Sequence, residues 1–176
     1  IRTSFEEIKK KNILFDYAII CSPSGLHFKH SYFFINRGVN TLIEKPFVLN
    51  LNHANLLIKL SKKKKVKCWT VLQNRYNLAV QKLKEEINKK KIGKISFVDC
   101  VMFWNRDLKY YSNGWRGKYK SDGGVLTNQA IHLLDMLVYI FGPINYFDAF
   151  ASFNKKKLQA EDLILINFKN KNQVLS

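Results

Sequence analysis

The chain is short of the residues that several functional classes require. Its three cysteines, Cys21, Cys68 and Cys100, are far apart and odd in number. Neither a disulfide framework nor a metal site has the spacing it needs, so no metal is expected. Each cysteine sits in an apolar, strand-like stretch, where a free thiol acts as a small hydrophobe. Such use suits a reducing, cytoplasmic setting. The longest apolar run, near 130–141, is broken by His132 and Asp135. It falls short of the ~20 residues that cross a bilayer, so no membrane partner is expected, and no signal peptide is visible. Arginine is scarce too, with five residues in the chain. The net charge of +17 invites a nucleic-acid reading, but lysine lacks the bidentate fork that reads base edges. The lysines also cluster at 9–11, 62–65, 89–91 and 155–157, each at the end of an expected element, which is the pattern of solvated helix ends. No nucleic-acid partner is expected.

What is present is a generous supply of core-forming residues, 47% hydrophobic with 13 Phe, 8 Tyr and 3 Trp. From 15 to 21 runs a nearly continuous apolar stretch closed by Ser22-Pro23-Ser24-Gly25. Its length and its turn residues fit a parallel strand buried on both faces. A helix is expected over 27–36 with Gly38 closing it, a second strand over 40–43, and a helix over 51–64 with Asn50 or Asn52 as its cap. A third strand over 66–72 ends in Gln73-Asn74-Arg75-Tyr76. Strands alternating with helices at this pace form β-α-β units on a parallel sheet. After Tyr76 the pattern changes to a helix over 78–90, a long strand over 94–104 and an aromatic loop over 105–121. A long apolar helix over 124–141 follows, and then strands over 144–153 and 162–168. The fold class is therefore α/β, the C-terminal part of a Rossmann-type parallel sheet in 1–75, followed in 76–176 by an α+β domain with a mainly antiparallel, open sheet. The chain starts at Ile1 and stops at Ser176, and both ends look cut, so the sequence reads as an internal fragment of a longer protein.

Ligands of open parallel sheets gather beyond the carboxyl ends of the strands. Three successive ends here carry polar groups: Ser22-Pro23 with His27, then Glu44-Lys45-Pro46, then Gln73-Asn74-Arg75. Lys45, held between a buried strand and a proline, is a candidate base or hydrogen-bond donor, because partial burial lowers a lysine pKa. The bond before Pro46 is a candidate cis peptide. On the helix from Gly124, Asn128, His132 and Asp135 fall at i, i+4 and i+7, a polar stripe on an apolar cylinder. Buried polar groups must be paired or used. In this reading His132 moves a proton and Asp135 orients its ring, while Gly123-Gly124 allows close backbone approach.

These residues, taken in order, resemble the glucose-fructose oxidoreductase / inositol dehydrogenase / rhizopine catabolism family (Gfo/Idh/MocA). The resemblance rests on Ser22-Pro23-Ser24 with His27, Glu44-Lys45-Pro46, and the run from Gly123 through His132 to Asp135, and it spans essentially the whole chain. It implies a nicotinamide cofactor, NAD with NADP as the alternative, and a sugar as small-molecule substrate. It makes Lys45 and His132 the catalytic pair. Ser22, Pro23, His27, Glu44, Lys45, Gln73, Trp115 and Arg116 would line the cofactor. Lys45, Arg75, Tyr76, Asn128, Gln129 and His132 would meet the substrate. Many relatives carry aspartate where this chain has Asn128, which suits Asn128 to a substrate hydrogen bond rather than proton transfer. The 73–76 stretch, the Trp115-Arg116-Gly117 loop and Thr127-Asn128-Gln129 are similar to the branch that oxidises the 3-hydroxyl of nucleotide-linked N-acetylaminoglucuronates for surface-polysaccharide (lipopolysaccharide) synthesis. Arginines such as Arg75 and Arg116 suit a carboxylate or diphosphate. The resemblance also implies a homo-oligomer, dimer or tetramer. None of the eight glycines forms the phosphate-cradling Gly-x-Gly-x-x-Gly turn. Two competing readings are a non-catalytic dinucleotide or sugar sensor on the same fold and a nucleic-acid binder.

Overall fold

In the computed structural model, residues 4–11, 13–112, 114–154, 158–170 and 173–175 are described; the lysine run at 155–157 lies outside them. The first half is a three-stranded parallel sheet in the order β1-β2-β3, formed by Tyr17–Ile20, Asn40–Ile43 and Cys68–Thr70. Helices α2 (His27–Asn36) and α3 (Leu51–Lys64) return the chain between the strands. Their ends follow local chemistry. Gly38 closes α2 with a φ of 78° and a hydrogen bond from its N–H to Ile35 O, a conformation that glycine adopts without a Cβ penalty. Asn50 is the cap of α3, its side chain accepting from the N–H groups of Asn52 and His53, so the choice between Asn50 and Asn52 falls to the residue whose carboxamide can reach back to the first turn. A short opening helix, α1 (Phe5–Lys10), has no apolar periodicity long enough to announce it. Ser4 caps it, with Glu6 and Glu7 in its first turn and Lys9 and Lys10 in its last, charges placed to favour the helix dipole.

Strand alternation puts Ala18, Ile20, Thr41 and Ile43 on the face that α2 and α3 cover. There they meet Phe34, Ile35, Val39 and Leu57 in one core. The opposite face is open: Tyr17 and Ile19 are each 68% exposed. Both crossover helices lie on one side of the sheet, so within this chain β1 is covered on that side alone, where cover on both faces was expected. A cleft on this open face is lined by Tyr17, Ile19, Leu42, Trp69, Gln73 and Tyr76, among others.

The second half begins with α4 (Leu78–Asn88), capped by Asn77. The strand expected over 94–104 is reduced to β4 (Phe97–Val98), which pairs with a neighbour further along the chain. A strand exists only where a partner lies beside it, and among the described residues Phe97 and Val98 have one, in Val174 and Leu175. The 105–121 loop contains one short helix, α5 (Leu108–Tyr111). The helix expected over 124–141 is split into a wide π-type turn, Leu126–Ala130, and α6 (Ile131–Phe141), which Gly142 ends with a φ of 89°. Of α6 only Leu137 is fully buried, so this helix is half-sunk rather than enclosed. It lies on a four-stranded sheet of order β4-β7-β6-β5, where β5 is Tyr146–Ser152, β6 Leu163–Asn170 and β7 Gln173–Leu175. The β5-β6 and β6-β7 pairs are antiparallel and β4-β7 is parallel, the mainly antiparallel second sheet that the element order implied.

Cys68 and Cys100 are partly buried, and burial pushes the Cys68 thiol up to about 11. Cys21 is exposed, against the expectation for an apolar stretch. Among the described residues no helix is long and apolar enough to cross a membrane.

Candidate active site

The first strand end and the second are tied together from within. His27 is 1% exposed, its Nδ1 2.7 Å from the Pro46 carbonyl oxygen and its Nε2 2.8 Å from the Ser22 carbonyl oxygen. Both ring nitrogens are thus spent on backbone, and the side chain braces the Ser22-Pro23 turn against the Lys45-Pro46 turn. The expectation that His27 lines a cofactor gives way to this bracing role. Its neighbour His30 hydrogen-bonds the Ser22 hydroxyl across 3.0 Å, which fixes Ser22 at the rim.

β2 carries its ladder one residue past its end, Glu44 N–H donating to Ile20 O at 2.9 Å. The Glu44 carboxylate then accepts from Lys45 N–H at 3.0 Å, and the Lys45-Pro46 peptide is cis. This turn sends the Lys45 side chain towards the second half of the molecule. Its ammonium donates to the Asn128 backbone oxygen at 2.7 Å and to Asn128 Oδ1 at 3.0 Å. Two of its three hydrogens are therefore used, and one remains for a ligand. Burial holds the Lys45 pKa below the ordinary lysine value, with the charges of Glu44 and Asp122 working in the opposite direction.

Asn128 sits in the π-type turn, a wide turn that often marks functional sites. One turn on, His132 is half-buried, and among the described residues no side chain hydrogen-bonds its ring. Burial lowers its pKa, the Lys45 charge lowers it further, and Glu44 and Asp135 act against both. The ring is therefore kept neutral around pH 7, as a proton acceptor must be. Lys45 is held at Asn128, one turn before His132 on the same stretch of chain, so the ammonium and the imidazole are brought towards each other from different halves of the chain.

Asp135 does not orient that ring. Its carboxylate takes Arg75 Nε at 2.8 Å and Arg75 Nη2 at 2.5 Å, a bidentate pairing that matches fork to fork. The guanidinium also lies over the Tyr139 ring, 5.3 Å from its centre. Arg75, expected to meet substrate, is thus committed to joining the 3₁₀ turn Gln73–Tyr76 to α6. Helical geometry gives the reason. Three residues advance ~300° around an α-helix, so Asp135 is rotated off the line of His132, towards Arg75.

The remaining expected residues divide. Glu44, Lys45 and Asn128 come together, and His132 stands one helical turn beyond Asn128. Gln73 and Tyr76 line the open-face cleft instead, and Gln129 is buried in the π-type turn. Trp115 and Arg116 belong to a cation-aromatic stack in the loop: the Arg116 guanidinium lies 4.9 Å from the Trp115 ring and 4.4 Å from Tyr110, and Arg106 lies 3.9 Å from Trp104. This loop reaches the site indirectly, through Gly117 N–H, which donates to Asp122 Oδ2 at 2.7 Å.

Two functional supports lie outside the expected site residues. Asp122, 3% exposed, accepts from the Asn128 carboxamide through its other oxygen. Glu161, also buried, accepts from Leu126 N–H at 3.0 Å, and its backbone oxygen accepts from Val125 N–H at 3.2 Å, satisfying amides at the start of the helix. The tight approach at Gly123-Gly124 is real, but it is made to this support. A Cβ on Gly124 would stand 2.1 Å from Glu161 Oε2, and one on Gly123 2.2 Å from Thr127 Oγ1. The signal that could have found Asp122 is its position directly before the paired glycines.

Comparison with known proteins shows the family. Residues 2–72 match the oxidoreductase family with an NAD-binding Rossmann fold, and residues 80–176 match the GFO/IDH/MocA C-terminal domain. The chain is 30% identical over 147 residues to Oxidoreductase P35 of Formosa agariphila, covering 81% of this chain and 46% of that protein. It is 26% identical over 140 residues to the glucose-6-phosphate 3-dehydrogenase of Bacillus subtilis, covering 78% of this chain and 40% of that protein. Among solved structures, the WlbA dehydrogenase of Bordetella pertussis in complex with NADH and UDP-GlcNAcA superposes with a TM-score of 0.91 at 27% identity, over 99% of this chain and 51% of that one. The WlbA dehydrogenase of Chromobacterium violaceum, in complex with the same two molecules, gives 0.89 at 30% identity over 98% and 51%. The chain spans about half the length of these relatives or less.

Proposed function

The chain belongs to the Gfo/Idh/MocA oxidoreductase family, and from that premise we propose that it forms the nicotinamide-facing and sugar-facing part of an NAD-dependent dehydrogenase acting on a nucleotide-linked N-acetylaminoglucuronate. The observation that carries this reading is the meeting of Lys45, from the end of a parallel strand, with Asn128, one turn before His132 in the other half.

The site suits the reacting end of a nicotinamide cofactor. It offers a half-buried ammonium with a free N–H, a carboxylate in Glu44, a fixed hydroxyl in Ser22 and a neutral imidazole. The Gly-rich turn that would hold the diphosphate is not in this sequence. When bound, NAD supplies the redox step. This chain's residues do the rest. Lys45 holds the carbinol oxygen with its remaining N–H and stabilises negative charge as it develops there. His132, neutral at rest, removes the hydroxyl proton, and in the reverse direction it returns it. Glu44, beside Lys45, balances the ammonium charge. Asn128 keeps the ammonium in place, which is positioning rather than proton transfer.

The substrate branch rests on the likeness to the WlbA dehydrogenases, which were solved with UDP-GlcNAcA. On that branch the enzyme serves surface-polysaccharide sugar synthesis. Self-association fits the exposed apolar outer face of the second sheet, where Tyr146, Phe150, Leu163 and Leu165 lie uncovered. In the complete enzyme with NAD and UDP-GlcNAcA, Lys45→Ala and His132→Ala should each lower kcat by about 10²–10⁴-fold with unchanged melting temperature. Turnover within a few-fold of the unaltered enzyme would remove both roles.

A further inference from the structure

We infer that Asp122 is a positioning residue for the reaction: it fixes which end of the Asn128 carboxamide faces Lys45, and so sets where the ammonium stands. This rests on the dehydrogenase reading and extends it to a residue that touches neither sugar nor cofactor.

A carboxamide has two ends of similar shape and opposite character. The end facing Lys45 must be the oxygen, since an ammonium only donates. Nothing about Asn128 alone enforces that choice. Asp122 does, because its carboxylate only accepts. Oδ1 takes the Asn128 NH2 group, and Oδ2 takes Gly117 N–H at 2.7 Å. With the NH2 end captured, Oδ1 of Asn128 is left pointing at Lys45 Nζ, 3.0 Å away. The result is a hydrogen-bond chain in which Lys45 donates to Asn128, Asn128 donates to Asp122, and Gly117 N–H donates to Asp122 from the other side. Asp122 is 3% exposed, so water cannot take over either of its contacts, and a buried acceptor-donor chain has a strong preference for its one satisfied arrangement. The same chain joins the Trp115-Arg116-Gly117 loop to the catalytic lysine, coupling the order of that loop to the lysine's position.

The charge of Asp122 has a second effect. The charged groups acting on Lys45 are Glu44 and Asp122, which favour its ammonium form, and the Lys45 charge in turn lowers the pKa of His132. Removing the Asp122 charge leaves Glu44 alone against burial, so the Lys45 pKa should fall further.

The test is a swap in the complete enzyme, using NAD and UDP-GlcNAcA. In Asp122→Asn, one oxygen remains for two donors. Gly117 N–H or the Asn128 NH2 loses its partner, or Asn128 turns over and sets NH2 against the ammonium. Turnover should drop at least tenfold while KM for UDP-GlcNAcA changes less than threefold. In Asn128→Asp alone, two carboxylates face each other and turnover should drop similarly. In the double variant Asp122→Asn/Asn128→Asp, the carboxylate moved to position 128 accepts from Lys45 and from the carboxamide NH2 moved to position 122. Most of the lost turnover should then return. A residue that merely holds the fold gives no such reciprocal rescue. As a readout apart from turnover, the pH dependence of Lys45 acetylation by acetic anhydride, followed by mass spectrometry, should shift to lower pH in Asp122→Asn. A double variant no better than the worse single one overturns the inference, as does Asp122→Asn with turnover within twofold and an unmoved Lys45 titration. If instead Lys45→Ala keeps full turnover, it is the dehydrogenase reading that fails. The Lys45 titration then decides the Asp122 inference by itself.

Discussion

The two halves of this chain are built on different terms. In the first, seven apolar residues close into one core between a parallel sheet and two helices, with Ile35, Ile43 and Leu57 wholly sealed. In the second, the buried apolar set shrinks to Leu137 and Phe168, and polar supports do much of the positioning: Glu161 under the helix start, Asp122 behind Asn128, and Arg75 reaching from the first half to Asp135. The first half presents Lys45 from a rigid platform. The second brings His132 to it by directed hydrogen bonds. Burial is non-directional and tolerates small repacking, whereas hydrogen-bond chains fix orientation and fail when one member is lost. A site assembled from both should break in two different ways.

The largest effect on stability should come from the first half. Ile43→Ala, at a fully sealed position, should cost about 2–5 kcal/mol in a denaturant melt, and Leu137→Ala should fall at the low end of that range, because its surroundings can collapse around it. Equal costs would erase the contrast between the two cores. Gly124→Ala comes next. It forces a Cβ into the Glu161 carboxylate at a φ of 85° and should cost about 1–3 kcal/mol together with most of the turnover, since the turn that carries Asn128 moves; a silent substitution would show that Glu161 supports nothing. Asp135→Asn should be milder, about 1 kcal/mol, because Arg75 is 39% exposed and water can take over part of the pairing. Its effect on kcat should stay within a few-fold, and a hundredfold loss with an unchanged melt would restore Asp135 to the His132 ring. The smallest expected signal is in pH. Burial and the Lys45 charge depress the His132 pKa, so the neutral base persists as the solution is acidified. The acid limb of kcat/KM should have its midpoint below the ordinary histidine value of 6.5. The depressed pKa also makes protonation cost stability, so stability should fall as pH drops below that value. A midpoint above 6.5 would contradict the site's electrostatics.

Much of this was legible in sequence because it depends on local pattern. Continuous apolar runs closed by turn residues located β1 and β2, and Gly38 and Asn50 marked helix ends through their own backbone chemistry. Lys45 between a strand and a proline was readable as a rim residue. The failures are all matters of partnership. The 94–104 stretch alternates like a strand but finds a neighbour only at Phe97–Val98 among the described residues. Asp135 follows His132 by three residues on the same helix, yet it is turned to an arginine 60 residues earlier, which claims it. His27 has the composition of a ligand-binding residue and is consumed by two carbonyl groups.

The sequence by itself determined the alternating strands and helices of the first half and which residue types stand at the strand ends, because periodicity and capping act over a few neighbouring positions. It also determined the family, through motif order. Tertiary structure alone decided which acceptor each donor meets: Lys45 with Asn128, Arg75 with Asp135, and Asp122 behind the carboxamide. A hydrogen bond depends on distances of a few tenths of an ångström between groups far apart in the chain, and no local pattern carries that information.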